Sequence, residues 1–213
     1  MALKRIGRRL VLPVMMGAVV ISMTATQAFA ASAGDGIGSG TGKSGVVASP
    51  RSLGPLGPLT ELVIQRLLIS DQVAAAKFGT GLPIDDPARE QQELASVRQS
   101  AVSLGIDPDA TVAFFQQQIS ASKVVQQGLF DRWTAHPDQA PTTRPDLGTI
   151  RGELDQLTTN LLAQLVAQKS LLSRTFECGI DLRLADVTGE ALNHLDALHR
   201  DALQVALSQT CHS

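Results

Sequence analysis

The stretch IDPDATVAFFQQQISASKVVQQGLFDRW, residues 106–133, decides the fold class. Asp107 followed by Pro108 is an N-cap with proline at the first helical position, where the missing N–H costs nothing. From there Val112, Phe115, Ile119, Ser122, Gln126, Leu129 and Trp133 follow alternating steps of three and four, which lines them along one face of an α-helix. The spacing predicts a helix from Asp107-Pro108 to Trp133, with Gly128 as a candidate bend. Ser122 and Gln126 interrupt an otherwise apolar seam.

Upstream, Asp86-Pro87 repeats the same opening device and predicts a helix ending near Gly105. Before it, a helix is expected from Thr60 to about Phe78, stopped by Gly79, Gly81 and Pro83. Downstream, Pro137, Pro141 and Pro145 mark a connection. A long helix is expected from about Leu147 to Ser173, then two more segments near 180–186 and 189–209. Alternating β-branched patterning is absent throughout. The expected fold is an all-α, single-domain bundle of about six helices.

The ends bound the setting. Lys4, Arg5, Arg8 and Arg9, an apolar run from Leu10 to about Ile21, and Ala28-Phe29-Ala30 have the layout of a secretory signal cleaved after about Ala30. The apolar run is short of the roughly 20 residues a membrane span needs. The mature chain is therefore expected to be secreted or periplasmic, with no membrane attachment. Residues 31–57, rich in Gly, Ser and Pro, read as a flexible leader, and residues 58–213 as the folded domain. Cleavage leaves 14 basic against 20 acidic side chains, a formal charge of −6, which argues against nucleic acid as a partner. Two cysteines remain, Cys178 and Cys211. In an oxidising compartment a lone pair is expected to form a disulfide, here stapling the C-terminal hairpin, with two separate buried thiols as the alternative. His194, His199 and His212 do not make a metal-ligand spacing, and no metal site is expected.

Several helices carry cations inside their apolar stripes. Leu59, Val63, Arg66, Leu67, Ser70, Ala74 and Lys77 share a face, since the eleven-residue step from Arg66 to Lys77 is about three turns. Arg89 and Glu93 join Val97, Ala101 and Leu104. Arg151 joins Leu147, Leu154, Thr158, Leu161, Leu165 and Leu172. Snorkelling to the surface, with Arg89 and Glu93 as an ordinary helical pair, explains each case singly. Repetition favours a site for a small molecule carrying about two negative charges, because buried unpaired charge costs several kcal/mol and guanidinium groups grip carboxylates bidentately.

This set of residues resembles the exported chorismate mutases of the AroQ all-helical class, the gamma subclass of mycobacterial type. The resemblance spans about Leu59 to Cys211. It rests on Arg66, Lys77, Leu82-Pro83-Ile84-Asp85-Asp86, Arg89, Gln91-Gln92, Ile106-Asp107-Pro108-Asp109, Phe115, Gln118-Ile119, Ser122, Gln126, Phe130, Trp133, Asp146-Leu147, Arg151 and the two cysteines. It implies an isomerase that converts chorismate to prephenate by a non-covalent Claisen rearrangement, without metal or organic cofactor, and a homodimer. Carried over by position, Arg66, Arg89 and Arg151 surround the substrate carboxylates and Lys77 meets the ether oxygen. Ser122 stands where the mycobacterial-type enzymes have threonine.

Two positions depart together: Glu93 stands where those relatives carry glutamine, and Gln126 where they carry glutamate. The group at the ether oxygen must donate a hydrogen bond. An amide does so at any ordinary pH, a glutamate only when protonated. Gln126 is accordingly expected to donate at the ether and Glu93 to accept from the substrate hydroxyl. The alternatives are a non-catalytic dicarboxylate-binding module and a secreted effector acting through its surface.

Overall fold

Aspartates set where four helices begin. The Oδ1 of Asp86 accepts from the Arg89 N–H (3.2 Å), and that of Asp107 from Asp109 and Ala110 (2.8 and 2.9 Å). Asp146 accepts from Thr149 (2.8 Å) and Asp196 from His199 (3.0 Å). Each satisfies a backbone donor that the helix itself leaves unpaired. The structure, a computed structural model, describes residues 52–212. The helices are α1 (Gly57–Lys77), α2 (Pro87–Leu104), α3 (Pro108–Ala135), α4 (Leu147–Ala167), α5 (Lys169–Leu172), α6 (Thr175–Leu192) and α7 (Ala197–Leu207), with short 3-10 turns at Pro137–Gln139 and Thr210–His212. Among the described residues there is no strand, and no helix is long and apolar enough to cross a membrane.

Helices α1 and α3 form the centre. α1 packs on α3, α4, α6 and α7, while α3 packs on α1, α2 and α7. The core between them holds Val63, Ile64, Phe114, Phe115, Val125, Leu161 and Leu203, all buried. Burial of each such side chain contributes about 1.5–3 kcal/mol. At one end Phe78 sits edge-on to both Phe130 and Trp133, at 5.3 and 5.2 Å between ring centres, which ties the end of α1 to α3. The α3 helix runs unbroken through Gly128. That glycine serves a close approach instead, since a Cβ there would lie 2.6 Å from Leu198 Cδ1.

The structure corrects the expected boundaries in three places. The folded body begins upstream of Pro58: Ser52 and Leu56 are buried, Gly57 is already helical, and the Leu53 N–H donates to Thr188 Oγ1 at 2.9 Å. A composition rich in Gly, Ser and Pro does not register two side chains that dock on α1 and α6. The long fourth helix breaks at Gln168 into α4 and α5. Leu165 and Leu172 keep helical spacing across that break, and no glycine or proline marks it. The third correction concerns the C-terminal segments, which part at 193–196 rather than near 187–188. Gly189 lies inside α6, where a Cβ would meet Ser52 Oγ at 2.5 Å and Ile64 Cδ1 at 2.7 Å. The chain turns at His194, with a φ of 52°, and restarts under the Asp196 cap. The expected export signal, the cleavage after Ala30 and the leader before Ser52 lie outside the described residues.

Cys178 and Cys211 form a disulfide, with Cα atoms 5.7 Å apart and a sequence separation of 33. It anchors the last turn to the start of α6, so α7 is held at both ends. Changing both cysteines to alanine is expected to cost about 3–4 kcal/mol and to lower the thermal midpoint by roughly 10 °C. Melting curves of the two proteins under the same non-reducing conditions check this. Equal midpoints would leave the bond without a stabilising role.

Candidate active site

Helices α1 to α4 enclose a cavity of about 140 Å³. Arg66, Ser70 and Lys77 enter from α1, Arg89, Glu90 and Glu93 from α2, Ile119, Ser122, Lys123 and Gln126 from α3, and Leu147, Ile150, Arg151 and Leu154 from α4. All seven residues singled out in the sequence line this one space. Their convergence follows from the packing of α1 and α3, whose facing stripes carry Arg66, Ser70 and Lys77 on one side and Ser122 and Gln126 on the other.

The cations sit at graded depth. Arg66 is buried at 6% exposure, with Nη1 reaching Thr158 Oγ1 (3.2 Å) and the Leu154 carbonyl (3.4 Å). Its Nη2 pairs with Glu93 Oε1. Lys77 and Arg89 are half-buried, and Lys77 Nζ donates to the Ile84 carbonyl at 3.0 Å. Burial pushes the Lys77 ammonium below its usual pKa, opposed by Asp86, Asp85 and Glu90 and assisted by Arg151. Arg151 corrects the sequence reading: it is exposed, at the edge of the cavity, while Ile150 is the buried residue of that turn. In the first half of α4 Ile150 and Leu157 are buried rather than Arg151 and Leu154, and the expected seam is regained at Leu161 and Leu165. On α2 the expected stripe also runs out early, since Leu104 is 47% exposed.

The polar floor is a short network. Ser70 Oγ donates to Ser122 Oγ at 2.8 Å, and Gln126 Nε2 donates to Ser122 Oγ (3.1 Å) and to the Ser122 carbonyl (3.3 Å). Gln126 is itself buried, and its Oε1 has no hydrogen-bond partner. A buried orphan oxygen costs roughly 1–3 kcal/mol. A half-turn of the amide would let Oε1 accept from the Ser122 hydroxyl and leave the NH₂ free to donate to a bound acceptor.

Sequence reasoning missed Lys123, Glu90 and the cavity-facing side of Asp86. Lys123 Nζ pairs with Asp85 Oδ1 (2.7 Å) and Glu90 Oε2 (2.9 Å). The signal was present, because Lys123 stands four residues after Ile119 and three before Gln126 on the stripe already traced. The lining then counts five cations, Arg66, Lys77, Arg89, Lys123 and Arg151, against three carboxylates, Asp86, Glu90 and Glu93. The excess is two positive charges. Such a space can hold a small dianion and offers hydroxyl and amide donors beside it.

The family model of chorismate mutase type II matches residues 58–127. A secreted chorismate mutase of Mycobacterium tuberculosis is 35% identical over 158 residues, covering 74% of this chain and 79% of that protein. One from Mycolicibacterium smegmatis is 37% identical, covering 74% and 86%. Among solved structures, a chorismate mutase from Burkholderia thailandensis superposes with a TM-score of 0.69 at 37% identity, covering 74% of this chain and 99% of its own. Relatives of that identity, matched over most of their own length, show that the chain belongs to the chorismate mutase family, alongside its secreted members.

Proposed function

We propose that the cavity of α1 to α4 binds chorismate and isomerises it to prephenate. The observation that carries this reading is the excess of two positive charges in a space lined by donors, matched to a substrate with two carboxylates. The reaction breaks one C–O bond and forms one C–C bond within a single molecule. No nucleophile, proton donor or co-reactant is needed. The residues act by holding the folded conformer of the substrate and by offsetting negative charge that develops on the ether oxygen.

In this reading Arg66, Arg89 and Arg151 take the carboxylates, with Arg66 deepest and Arg151 closing from the rim. Lys77 leaves the Ile84 carbonyl and meets the ether oxygen beside Gln126, whose amide turns so that its NH₂ donates. Glu93, paired with Arg66, accepts from the substrate hydroxyl, and Ser122 orders Gln126 from behind. The chain is exported, with cleavage after about Ala30, and works as a homodimer. The names of the mycobacterial relatives support the export.

The test is consumption of chorismate by purified residues 31–213. First-order disappearance of the enol-ether absorbance with formation of prephenate is the expected result. Saturable binding without turnover would point to a dicarboxylate-binding module instead, and neither binding nor turnover to an effector acting through its surface.

A further inference from the structure

Lys123 is the one cavity cation that the preceding mechanism leaves without a task. It sits on α3 beside Ser122, and its ammonium is occupied by two carboxylates rather than directed to the polar floor. Both belong to the segment that walls the cavity opposite α3: Asp85 in the α1–α2 connection and Glu90 in the first turn of α2. Glu90 is doubly engaged, because its Oε1 accepts from the Asp86 N–H at 3.1 Å while Oε2 takes Lys123. Asp86 in turn caps the turn that carries Arg89.

The surroundings give this pairing a consequence. Asp85, Asp86 and Glu90 are the carboxylates that act on Lys77, and Asp86 and Glu90 line the cavity. An incoming dianion meets these negative charges at the same wall where it must find Lys77 and Arg89. At a few ångströms a bare like charge weakens the binding of an anion even with substantial screening. Lys123, half-buried and reaching across from α3, neutralises two of the three.

We propose that Lys123 is a positioning residue that masks Asp85 and Glu90, so that the wall presents Lys77 and Arg89 to the substrate. The inference rests on the reading of the cavity as a chorismate site. It acts through binding more than through the rearrangement, because Lys123 is taken by its partners and does not reach the ether oxygen. It also assigns Glu90 two separable duties, a backbone acceptor that a glutamine retains and a charge that a glutamine loses.

Steady-state kinetics of five proteins test it: wild type, Lys123→Met, Lys123→Arg, Glu90→Gln and the double variant Lys123→Met/Glu90→Gln. Lys123→Met is expected to raise KM about tenfold with kcat within about threefold, and Lys123→Arg to restore KM. Glu90→Gln alone should leave KM equal to or below the wild type. The double variant should recover most of the lost KM, because of the two unmasked charges the one that lines the cavity is gone. A tether without an electrostatic role predicts the opposite, that the double variant binds no better than Lys123→Met, and that result overturns the proposal. So does an unchanged KM in Lys123→Met. Melting curves identify any variant that fails to fold, and for it calorimetric titration of prephenate into Glu90→Gln and wild type decides: weaker binding in Glu90→Gln overturns the masking role. A wild type without turnover would sink the isomerase reading separately, and the same titration would still read the masking.

Discussion

Lys77→Ala is expected to lower kcat for chorismate by about a thousandfold while moving the melting midpoint little. The rearrangement offers the protein few handles, since no group is transferred and no covalent intermediate forms. What remains is the charge that builds on the departing ether oxygen, and a preorganised cation beside it is worth most because it need not reorganise as the charge appears. Lys77 is held for that purpose at a cost. Burial pushes its ammonium below the usual lysine range, and Asp86, Asp85 and Glu90 offset this only in part. Its hydrogen bond goes to the Ile84 carbonyl, at 3.0 Å, in a partly exposed connection that water can solvate once the lysine is gone. The fold therefore has little to lose. Rates measured alongside thermal melts check both halves. Activity within tenfold of the wild type would remove Lys77 from the ether oxygen, whatever the melt showed.

Some features were legible in the sequence because they depend on local rules. The Asp-Pro openings of α2 and α3 are satisfied within one turn, and the seam of α3 runs long enough for the 3.6-residue period to be unambiguous. The convergence of Arg66, Lys77, Ser122 and Gln126 follows once α1 and α3 pack face to face. Other features depended on partners remote in the chain. Gly189 reads as a breaker until Ser52 and Ile64 occupy the space where its side chain would be. Leu56 reads as part of a leader until it finds the core. Arg151 lies at the boundary between rim and core, where one residue of rotation decides the outcome. Lys123 was passed over because a lysine next to a serine on a helix face is ordinarily a solvated charge. Only the approach of Asp85 and Glu90 from another segment makes it a part of the site.

The exchanged pair carries the second large effect. Gln126→Glu is expected to lower kcat/KM at neutral pH by about a hundredfold and to regain activity as the pH falls, whereas the wild type should show no such acid requirement. Position 126 is 4% exposed and belongs to the Ser70–Ser122 network. In the wild type its amide can donate at every working pH. An ionised glutamate there has no proton to give and adds a fourth carboxylate to a cavity already lined by Asp86, Glu90 and Glu93. Both effects act against the transition state. Protonation reverses both, because a carboxylic acid donates one hydrogen bond and carries no charge. Burial raises the pKa of the new side chain while Lys77 and Arg89 lower it, so the recovery should follow a single protonation on the acid side of neutrality. The companion change Glu93→Gln would not supply the missing proton. Adding it to Gln126→Glu relieves one negative charge, but it should keep the acid requirement. Rate profiles from pH 4 to 8 for the three proteins separate these terms. A Gln126→Glu profile parallel to that of the wild type would show that residue 126 does not donate to the ether oxygen.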